Sequence, residues 1–316
     1  MQVHYNIDQL PAFRNAVITI GTFDGVHLGH RQILNSLKEE AKKVNGETVI
    51  ITFHPHPRKI VAGSKAPILL INTLDEKIEL LEKAGIDHLV VTPFTEAFSI
   101  QSAEDYVANF LIGKFNPNTI VIGYDHRFGK DRKGDYLLLE QLCGRYNYNL
   151  KEIPKHVLDE IAISSTNIRS ALLEGKIETA DKLLGYEFFF DGEVIHGDKI
   201  GRTLGYPTAN LLVKDEQKIV PCDGIYAVYA QVMDADETTS LKGMMSIGFR
   251  PTVGGTKRVI EVNLFDFNED IYGKTLRVFV KKYLRAEIKF ESLEALVKQI
   301  DQDKIESLKT FLNYYS

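Results

Sequence analysis

Cysteine is scarce in this chain. The 316-residue sequence contains two cysteines, Cys143 and Cys222, which lie far apart. A disulfide framework needs several spaced cysteines, and a thiolate metal site needs cysteines at close spacing. The sequence therefore excludes both classes, and we expect the two thiols to be reduced and buried.

Long runs of one charge sign are also absent. The chain carries 38 Lys and Arg against 43 Asp and Glu, which gives a net charge of −5 with histidine neutral. Binding along a phosphate backbone requires clustered basic residues, so this balance argues against nucleic acid as the main partner. It leaves open a small anionic ligand held in one pocket.

Hydrophobic runs stay short. None approaches the roughly 18 residues that a membrane span requires. The start of the chain has no basic stretch followed by an apolar segment and a small-residue cleavage site. We therefore expect a soluble, cytoplasmic protein without a membrane partner.

The first half of the sequence alternates short apolar strands with helical stripes of apolar residues. A chain of 316 residues is long enough for about two domains. The strand-like runs are 17–20, 48–53, 89–91 and 120–122, and helical patterns follow them, including 136–146 and 164–184 with a break near Gly175. Because these strands are apolar throughout, both faces of their sheet should be covered. The pattern is typical of an α/β domain with a doubly wound, Rossmann-like parallel sheet.

The pattern changes after Tyr186, where we place the domain boundary. Strand-like segments separated by turns then follow at 187–196, 208–213, 225–233, 241–247, 259–265 and 275–283. Such spacing predicts an antiparallel barrel or sandwich, and one or two amphipathic helices end the chain. The expected domains are thus 1–186 and 187–316.

The strongest local feature of the first half is the run from Gly21 to His30, which follows a short apolar strand. In open α/β sheets, ligands bind where strands end and helices begin. A helix N-terminus there offers unpaired N–H groups and a positive dipole end, both suited to phosphate. Gly21, Gly25 and Gly29 permit a tight turn and close backbone approach. His27 and His30 can face the same anion and donate to it whether neutral or charged.

Two other interpretations of this histidine pair remain open. One is a capped helix with surface histidines, and the other is a zinc pair completed by His54 and His56. Zinc is disfavoured because the segment lacks cysteine and because the latter two histidines alternate with prolines. A second helix start at 163–169 favours phosphate, since its hydroxyls and Arg169 form another candidate cradle.

The second half carries its own candidate site in the run Gly205-Tyr206-Pro207-Thr208-Ala209-Asn210. Thr208 and Asn210 lie two residues apart on an extended segment, so their side chains face the same side. Both offer hard oxygen donors suited to a Mg²⁺ ion that bridges ATP phosphates. Glu261 is a single carboxylate inside an apolar strand. From the pattern alone, an exposed edge position for Glu261 is more common than a catalytic one.

The first half resembles the nucleotidylyltransferase superfamily and, more narrowly, the N-terminal module of the bacterial bifunctional riboflavin kinase/FMN adenylyltransferase family. The matching segments are 21–30, 52–57, 123–129 and 164–169. In that family the module transfers AMP from ATP to the phosphate of FMN. The resemblance implies that His27, His30 and Arg169 are catalytic.

The same resemblance assigns further residues to binding. Those implied for ATP and its phosphates are Gly21, Phe23, Asp24, Gly29, Ser164, Ser165 and Thr166. Those implied for flavin are Phe53, Pro55, Asp125 and Phe128. The chain departs from the family at positions 54 and 126, where histidines replace an acidic and an aromatic residue, and this bears on the flavin pocket. The basic loop 130–133 either attracts a flavin phosphate or is simply solvated.

The second half is similar to the riboflavin kinase module of the same family. The matching segments are 201–211, 224–228, 246–248, 251–254, 261–267 and 272–273. The resemblance implies a small β-barrel with a C-terminal helix, in which Gly201, Thr208 and Asn210 bind ATP and the latter two also bind Mg²⁺. It implies that Glu261 accepts the proton of the riboflavin 5′-hydroxyl and that Arg285 contacts flavin.

The expected function is a bifunctional enzyme of flavin cofactor biosynthesis. It would phosphorylate riboflavin to FMN and then convert FMN and ATP to FAD and pyrophosphate. The expected partners are the small molecules ATP, riboflavin and FMN, with flavoproteins as candidate clients; oligomeric state is not predicted. Two alternatives stay open: an adenylyltransferase for another small phosphate ester with an accessory barrel, and a flavin-binding sensor or carrier.

Overall fold

The computed structural model describes residues 1–61, 68–154, 163–197, 201, 204–233, 239–252 and 255–312, with the backbone alone at 251–252 and 255–257. The chain divides into two compact units, Met1–Ser165 and Thr166–Ser316. Residues 166–186 therefore pack with the second unit. The division into functional domains at Tyr186 stays a prediction.

A parallel sheet of six strands forms the centre of the first unit, in the order β1-β4-β3-β2-β5-β6. The strands are β1 Gln2–His4, β2 Val17–Ile20, β3 Thr48–His54, β4 His88–Pro93, β5 Thr119–Gly123 and β6 Asn149–Ile153. The strand order changes direction beside β2, because β3 and β4 extend the sheet on one side of β2 and β5 and β6 extend it on the other. Ligands of open α/β sheets bind at such a reversal.

Helices connect these strands. They are α1 Leu28–Lys43, α2 Pro57–Val61, α3 Leu74–Lys83, α4 Glu96–Ser99, α5 Ala103–Asp105, α6 Gly113–Phe115 and α7 Tyr136–Tyr146. A π-helical stretch, Tyr106–Ile112, joins α5 to α6. Residues 103–115 therefore form one continuous helical segment whose middle is wound more loosely than an α-helix.

Both faces of the sheet are covered, as the apolar strands predict. Strands β2 and β5 are buried at every position. Along β2, Ile18 and Ile20 pack into one core cluster and Val17 into the other, because successive side chains of a strand point to opposite faces. Two cores on one sheet confirm the doubly wound α/β class.

A closed antiparallel barrel forms the second unit, with strand order β10-β11-β8-β7-β12-β9. The strands are β7 Phe189–Ile195, β8 Ala209–Leu212, β9 Gly224–Val232, β10 Leu241–Thr252, β11 Gly255–Leu264 and β12 Thr275–Arg285. Its helices are α8 Ser165–Leu173, α9 Ile177–Leu184 and α10 Leu293–Leu312. Helix α10 packs against β9, β10 and β12, with the Phe311 ring centroid 4.6 Å from that of Tyr229.

The sequence analysis missed some short or polar elements. Strand β1 has three residues, and β6 begins with polar, partly exposed residues, so neither shows the apolar run that marked the other strands. The choice between barrel and sandwich resolves to a barrel. The choice between one and two terminal helices resolves to the single helix α10.

Both cysteines are free, as expected, but they are half-buried rather than buried. Cys143 packs at the edge of a core cluster, and the Cys222 sulfur lies 3.3 Å from the Tyr226 hydroxyl. The prediction of reduced thiols is thus confirmed, and the prediction that both thiols are buried is wrong. No helix in the described part of the chain is long and apolar enough to cross a membrane.

Candidate active sites

The loop between β2 and α1 has an unusual backbone. Phe23, Gly25 and Val26 adopt φ angles of 47°, 91° and 36°. A positive φ is a true outlier for a β-branched residue and costs on the order of 1–3 kcal/mol. The side chains of Phe23 and Val26 are buried in a core cluster, and this packing holds the loop. Strain that is fixed by a core is typical of functional loops.

Two glycines give this loop its room. A Cβ at Gly21 would lie 3.1 Å from the Phe23 ring, and a Cβ at Gly29 would lie 3.2 Å from the His27 ring. The Gly21 N–H donates to the carbonyl of Ile51 at 3.0 Å, which fixes the end of β2 to β3. Small residues at 21 and 29 therefore let the aromatic rings lie close to the backbone.

The two predicted histidines form a stacked pair at the start of α1. His27 is the N-cap, and its Nδ1 accepts the backbone N–H of His30 at 3.3 Å. The rings stack with centroids 3.7 Å apart and planes 14° apart. Because Nδ1 of His27 is an acceptor, its ring proton lies on Nε2. The structure thus brings both histidines to one helix N-terminus, as predicted.

His30 is held in its neutral form. Burial, together with the nearby His27 and Lys77, lowers the pKa of His30 well below its usual 6.5. Among the described residues, its buried Nδ1 has no hydrogen-bond partner. Lys77, on α3, is 7% exposed, and burial lowers its pKa to about 8 although the Asp24 carboxylate raises it. The sequence analysis missed Lys77, which reads as a surface residue of an amphipathic helix.

Asp24, predicted to bind phosphate, is 1% exposed. Its Oδ1 accepts the backbone N–H groups of Ile71 and Asn72 at 2.9 and 3.3 Å. Its carbonyl oxygen accepts the hydroxyl of Ser165 at 2.9 Å. The carboxylate therefore ties the histidine loop to the segment before α3. A phosphate contact by this side chain stays a prediction.

The residues predicted for the serine and arginine cradle belong to different units of the chain. Ser164 and Ser165 close the first unit, and the Ser165 hydroxyl contacts the histidine loop through Asp24. Thr166 and Arg169 lie on α8 in the second unit. Their binding roles stay predictions.

The predicted flavin residues of the first unit fall into two groups. Phe53 and Phe128 are buried in the same core cluster, where Phe128 stacks on Tyr106 with centroids 5.1 Å apart. Asp125 is exposed after β5, and Pro55 is half-buried after β3. A flavin contact by each of them stays a prediction. The neighbouring His126 has its pKa lowered to about 4 by burial and by the charge of Arg132.

Strand register assembles the second site on one face of the barrel. Glu261 on β11 lies directly opposite Asn210 on β8 and Ser246 on β10. Directly opposed residues of antiparallel strands point to the same face. The Thr208 hydroxyl donates to Glu261 Oε1 at 3.4 Å. The predicted base and the two predicted magnesium ligands are therefore neighbours.

These residues line a cavity of about 590 Å³ in the second unit. Its wall includes Thr208, Asn210 and Glu261, and also Gly201, whose position leaves no room for a Cβ beside the Tyr206 carbonyl. A second cavity of about 180 Å³ opens between β8 and the segment at 267–272, and Thr208 lines both. Thr208 therefore lies where the two cavities come together.

Arg285, predicted to contact flavin, lines the larger cavity but is held by α10. Its Nε and Nη2 donate to the two oxygens of Asp303 at 2.8 and 2.6 Å. The Tyr206 hydroxyl donates to Asp301 on the same helix, and this bond is the main reason why the pKa of Tyr206 rises to about 12. Helix α10 thus braces the cavity wall through the buried Asp303 and the exposed Asp301, and the flavin contact stays a prediction.

The sequence analysis missed three charged residues of the larger cavity, Asp303 and the two described next. Arg250 pairs with Glu261 at 3.1 Å and with Glu287 at 3.3 Å. The matching segment of the sequence began one residue later, at Pro251, and Glu287 follows β12 in a stretch without a recognised motif. A strand-register argument could have found Arg250, because it lies four residues after Ser246 on the same face of β10.

The zinc alternative receives no group of ligands. Within the described ranges there is no cluster of three or more His, Cys, Asp or Glu side chains that could hold a metal ion. This search does not address the hydroxyl and amide ligands predicted for magnesium.

The chain combines a module with a parallel α/β sheet and a module with a closed six-stranded barrel. Residues 10–167 match the family model described as FAD synthetase, and residues 184–311 match the one described as riboflavin kinase. The two matches follow the order expected from the sequence.

Relatives of similar length carry one common name, bifunctional riboflavin kinase/FMN adenylyltransferase. The protein from Escherichia coli K12 is 36% identical over 97% of this chain and 96% of its own length. The proteins from Buchnera aphidicola subsp. Schizaphis graminum and Bacillus subtilis 168 are 41% and 38% identical, over 95% and 94% of this chain and 95% and 93% of their own lengths. The chain belongs to the bifunctional riboflavin kinase/FMN adenylyltransferase family.

A solved structure shares the fold of both units. A crystal structure described as a macrolide-efflux protein from Streptococcus pneumoniae is 32% identical with a TM-score of 0.85, covering 97% of this chain and 98% of that one. The efflux description concerns that protein. The two family matches and the names of the relatives agree instead on flavin chemistry.

Proposed function

We propose that the chain performs two successive reactions at separate sites: riboflavin phosphorylation in the barrel and FMN adenylylation in the α/β unit. The observation that carries the proposal is Glu261, which lies across from Asn210 and 3.4 Å from Thr208 on a cavity wall. A carboxylate beside the oxygen donors expected for ATP phosphates is the arrangement that proton removal from an attacking hydroxyl requires. The order of the family matches supports the assignment of each reaction to its unit.

In the barrel, the riboflavin 5′-hydroxyl attacks the γ-phosphorus of ATP. Glu261 accepts the hydroxyl proton while the bond to the bridging oxygen breaks and ADP leaves. The larger cavity suits the isoalloxazine ring, because apolar side chains such as Met244 and Phe290 line it beside a few polar ones. The smaller cavity takes part of the nucleotide, and Thr208, shared by both, marks the point of phosphoryl transfer.

Magnesium fits the donors at this point. Thr208 and Asn210 offer neutral oxygens, and Gly197 leaves room for the Asn210 amide, since a Cβ there would lie 2.2 Å from it. When bound, the ion neutralises charge on the transferring phosphates. Gly201 lets the backbone approach the phosphates beside Thr208.

In the α/β unit, a phosphate oxygen of FMN attacks the α-phosphorus of ATP, and pyrophosphate leaves. Nε2 of His27 and the N-terminus of α1 donate to the phosphate oxygens, and neutral His30 supports the same anion through its ring. Arg169, Ser164, Ser165 and Thr166 hold the pyrophosphate end. Asp24 is assigned to holding the loop, because its carboxylate accepts two backbone N–H groups.

The setting follows from the substrates. Both reactions consume ATP, so we place the protein in the cytoplasm and name flavoproteins as the recipients of FMN and FAD. Phe53, Pro55, Asp125 and Phe128 are assigned to the flavin side of the first site, and Arg285 to that of the second.

A product time course tests the proposal. Purified chain is incubated with riboflavin, ATP and Mg²⁺, and flavins are separated by chromatography. FMN should appear first and FAD after it, and omission of Mg²⁺ should stop FMN formation. FMN without FAD would overturn the assignment of the first unit, and the absence of both products would overturn the proposal as a whole.

A further inference from the structure

Arg250 connects two carboxylates at the mouth of the barrel cavity. Its Nη2 donates to Glu261 Oε2 at 3.1 Å and its Nη1 to Glu287 Oε1 at 3.3 Å. The Arg250 side chain is 46% exposed, against 25% for Glu261 and 31% for Glu287. An ion pair this exposed is worth little stability, so the guanidinium can exchange partners at small cost.

The Glu287 carboxylate packs against one face of strand β10. Ser246, Gly248 and Arg250 alternate along β10 and therefore face the same side. The Ser246 hydroxyl donates to Glu287 Oε1 at 3.3 Å, and a Cβ at Gly248 would lie 1.9 Å from Glu287 Oε2. The carboxylate thus lies across three positions of the strand. It is a fixed anchor for one end of the Arg250 guanidinium.

Glu261, in contrast, is engaged at both oxygens. Oε1 accepts the Thr208 hydroxyl and Oε2 accepts Arg250. A general base must be within hydrogen-bond reach of the proton that it takes, with an oxygen available to receive it. Each carboxylate oxygen can accept two hydrogen bonds, so Glu261 keeps acceptor capacity. The side of Oε2 that faces Arg250, however, opens to a riboflavin hydroxyl only after the guanidinium has moved.

Arg250 is the partner suited to move. The other described arginine of this cavity, Arg285, is held by both oxygens of Asp303, a carboxylate that is 6% exposed on its side chain. Arg250 makes one bond to each of two carboxylates, and a guanidinium fork matches phosphate better than it matches two separate oxygens. An incoming ATP phosphate group carries more negative charge than the single carboxylate of Glu261, so it is the stronger acceptor for the guanidinium.

We propose that Arg250 is an ATP-phosphate ligand of the kinase site that exchanges its bond to Glu261 for one to the nucleotide, with Glu287 as its positioning residue. ATP draws the guanidinium from Glu261 to its phosphates, which frees Glu261 Oε2 for the riboflavin hydroxyl. Glu287 keeps hold of the other end. The barrel thereby couples the availability of its base to the presence of nucleotide. This inference rests on the proposed kinase function.

Steady-state kinetics of FMN formation test the assignment with Arg250→Gln, Arg250→Lys and Glu287→Gln. Arg250→Gln should lower kcat/KM for ATP by about 100-fold, while riboflavin affinity, followed by its fluorescence, stays within twofold. Arg250→Lys should recover about tenfold of that loss, because a lysine supplies the charge without the fork. Arg258→Gln is the matched control. Arg258 lies on β11 and also pairs with a carboxylate, Asp223, at 2.8 Å, so this variant should leave the ATP kinetics unchanged.

The anchor role is tested by a double-mutant cycle. Glu287→Gln alone should lower kcat for FMN formation by about threefold to tenfold, and it should cost less than twofold more in the Arg250→Gln background. Equal loss in both backgrounds would overturn the role of Glu287. ATP kinetics of Arg250→Gln within twofold of wild type would overturn that of Arg250.

Two checks separate other failures from these outcomes. FAD formation from supplied FMN uses the other unit and should be unchanged in every variant. Thermal unfolding of each variant shows whether the barrel is still folded. If Arg250→Gln does not fold, Arg250→Lys decides the matter through the same ATP kinetics. A wild-type chain that makes no FMN would overturn the proposed function and this inference with it.

Discussion

The titratable groups of the two sites lie in different environments: they are buried in the α/β unit and partly exposed in the barrel. In the α/β unit, His27 is 6% exposed, Lys77 is 7% exposed, and burial keeps His30 neutral. In the barrel, Arg250 pairs with both Glu261 and Glu287, and all three side chains are partly exposed. Buried groups interact strongly and are fixed by packing, whereas exposed pairs are screened and exchange easily.

This difference indicates what each site should be sensitive to. The histidine site depends on the positions of rings and backbone, so a change of shape should damage it. The barrel site depends on which charge faces which, so a change of charge without a change of shape should damage it. The predictions below test this contrast.

The largest expected effect separates the two reactions. Glu261→Gln keeps the shape of the side chain and removes its charge, and should lower FMN formation by about 10²–10⁴-fold because general-base help is lost. FAD formation from supplied FMN should stay within twofold. His30→Ala should do the reverse. Both rates are measured on each purified variant by chromatography of the flavins.

Each variant serves as the control for the other, because both activities reside on one chain. Parallel loss of both reactions in either variant would contradict the assignment of one site to each unit. Normal riboflavin phosphorylation by Glu261→Gln would remove Glu261 from the role of base.

A smaller effect concerns a buried charge of the second unit that lies outside its site. Asp181 on α9 accepts the Phe188 N–H at 2.7 Å through Oδ1, and its buried Oδ2 has no partner among the described residues. Burial is the main cause that raises the pKa of Asp181 from 3.8 to about 7. The folded state therefore binds this proton more tightly than the unfolded state.

The sign of the pH dependence follows. Stability contributed by protonated Asp181 is present at pH 4 and is lost as the pH rises to about 7, by up to roughly 2–4 kcal/mol in the free energy of unfolding. Asp181→Asn cannot ionise, so its unfolding free energy should be flatter over that interval. Denaturant unfolding at pH 4, 5, 6, 7 and 8 measures this. Glu174→Gln, an exposed carboxylate nearby, should retain the slope of the wild type, and an unchanged slope in Asp181→Asn would contradict the assignment.

Much of the fold could be predicted because its signals are local. Apolar runs such as Val17–Ile20 and the Gly175 break between α8 and α9 are visible in a few consecutive residues. Strand β6 was not predicted, and the strand pattern alone left barrel and sandwich open; the barrel that the family resemblance implied is confirmed. Strand β6 is half exposed, and closure depends on which strands pair, a property of distant residues.

The candidate sites divide in the same way. His27, His30, Thr208 and Asn210 stand in compact motifs at an element's start, and the structure brings each pair together. Lys77 interacts with His30, 47 positions away. Arg250 pairs with Glu261 and Glu287, 11 and 37 positions away. Local spacing therefore gives no sign of Lys77, Arg250 or Glu287. Strand register and burial, which need the fold, were required to find them.

The smallest expected effect tests the sensitivity of the histidine site to shape. A Cβ at Gly29 would lie 3.2 Å from the His27 ring, which stacks on His30 at 3.7 Å, so Gly29→Ala should displace the ring by a few tenths of an ångström. Misplacement on that scale should slow FAD formation by about tenfold, with riboflavin phosphorylation within twofold of wild type. Gly144→Ala is the matched control, because a Cβ there meets nothing within 4 Å, and alanine should stabilise α7 by about 0.5–1 kcal/mol. Unchanged FAD formation in Gly29→Ala would show that the site tolerates a shift of His27, and the contrast between a shape-sensitive and a charge-sensitive site would then fail on the first unit.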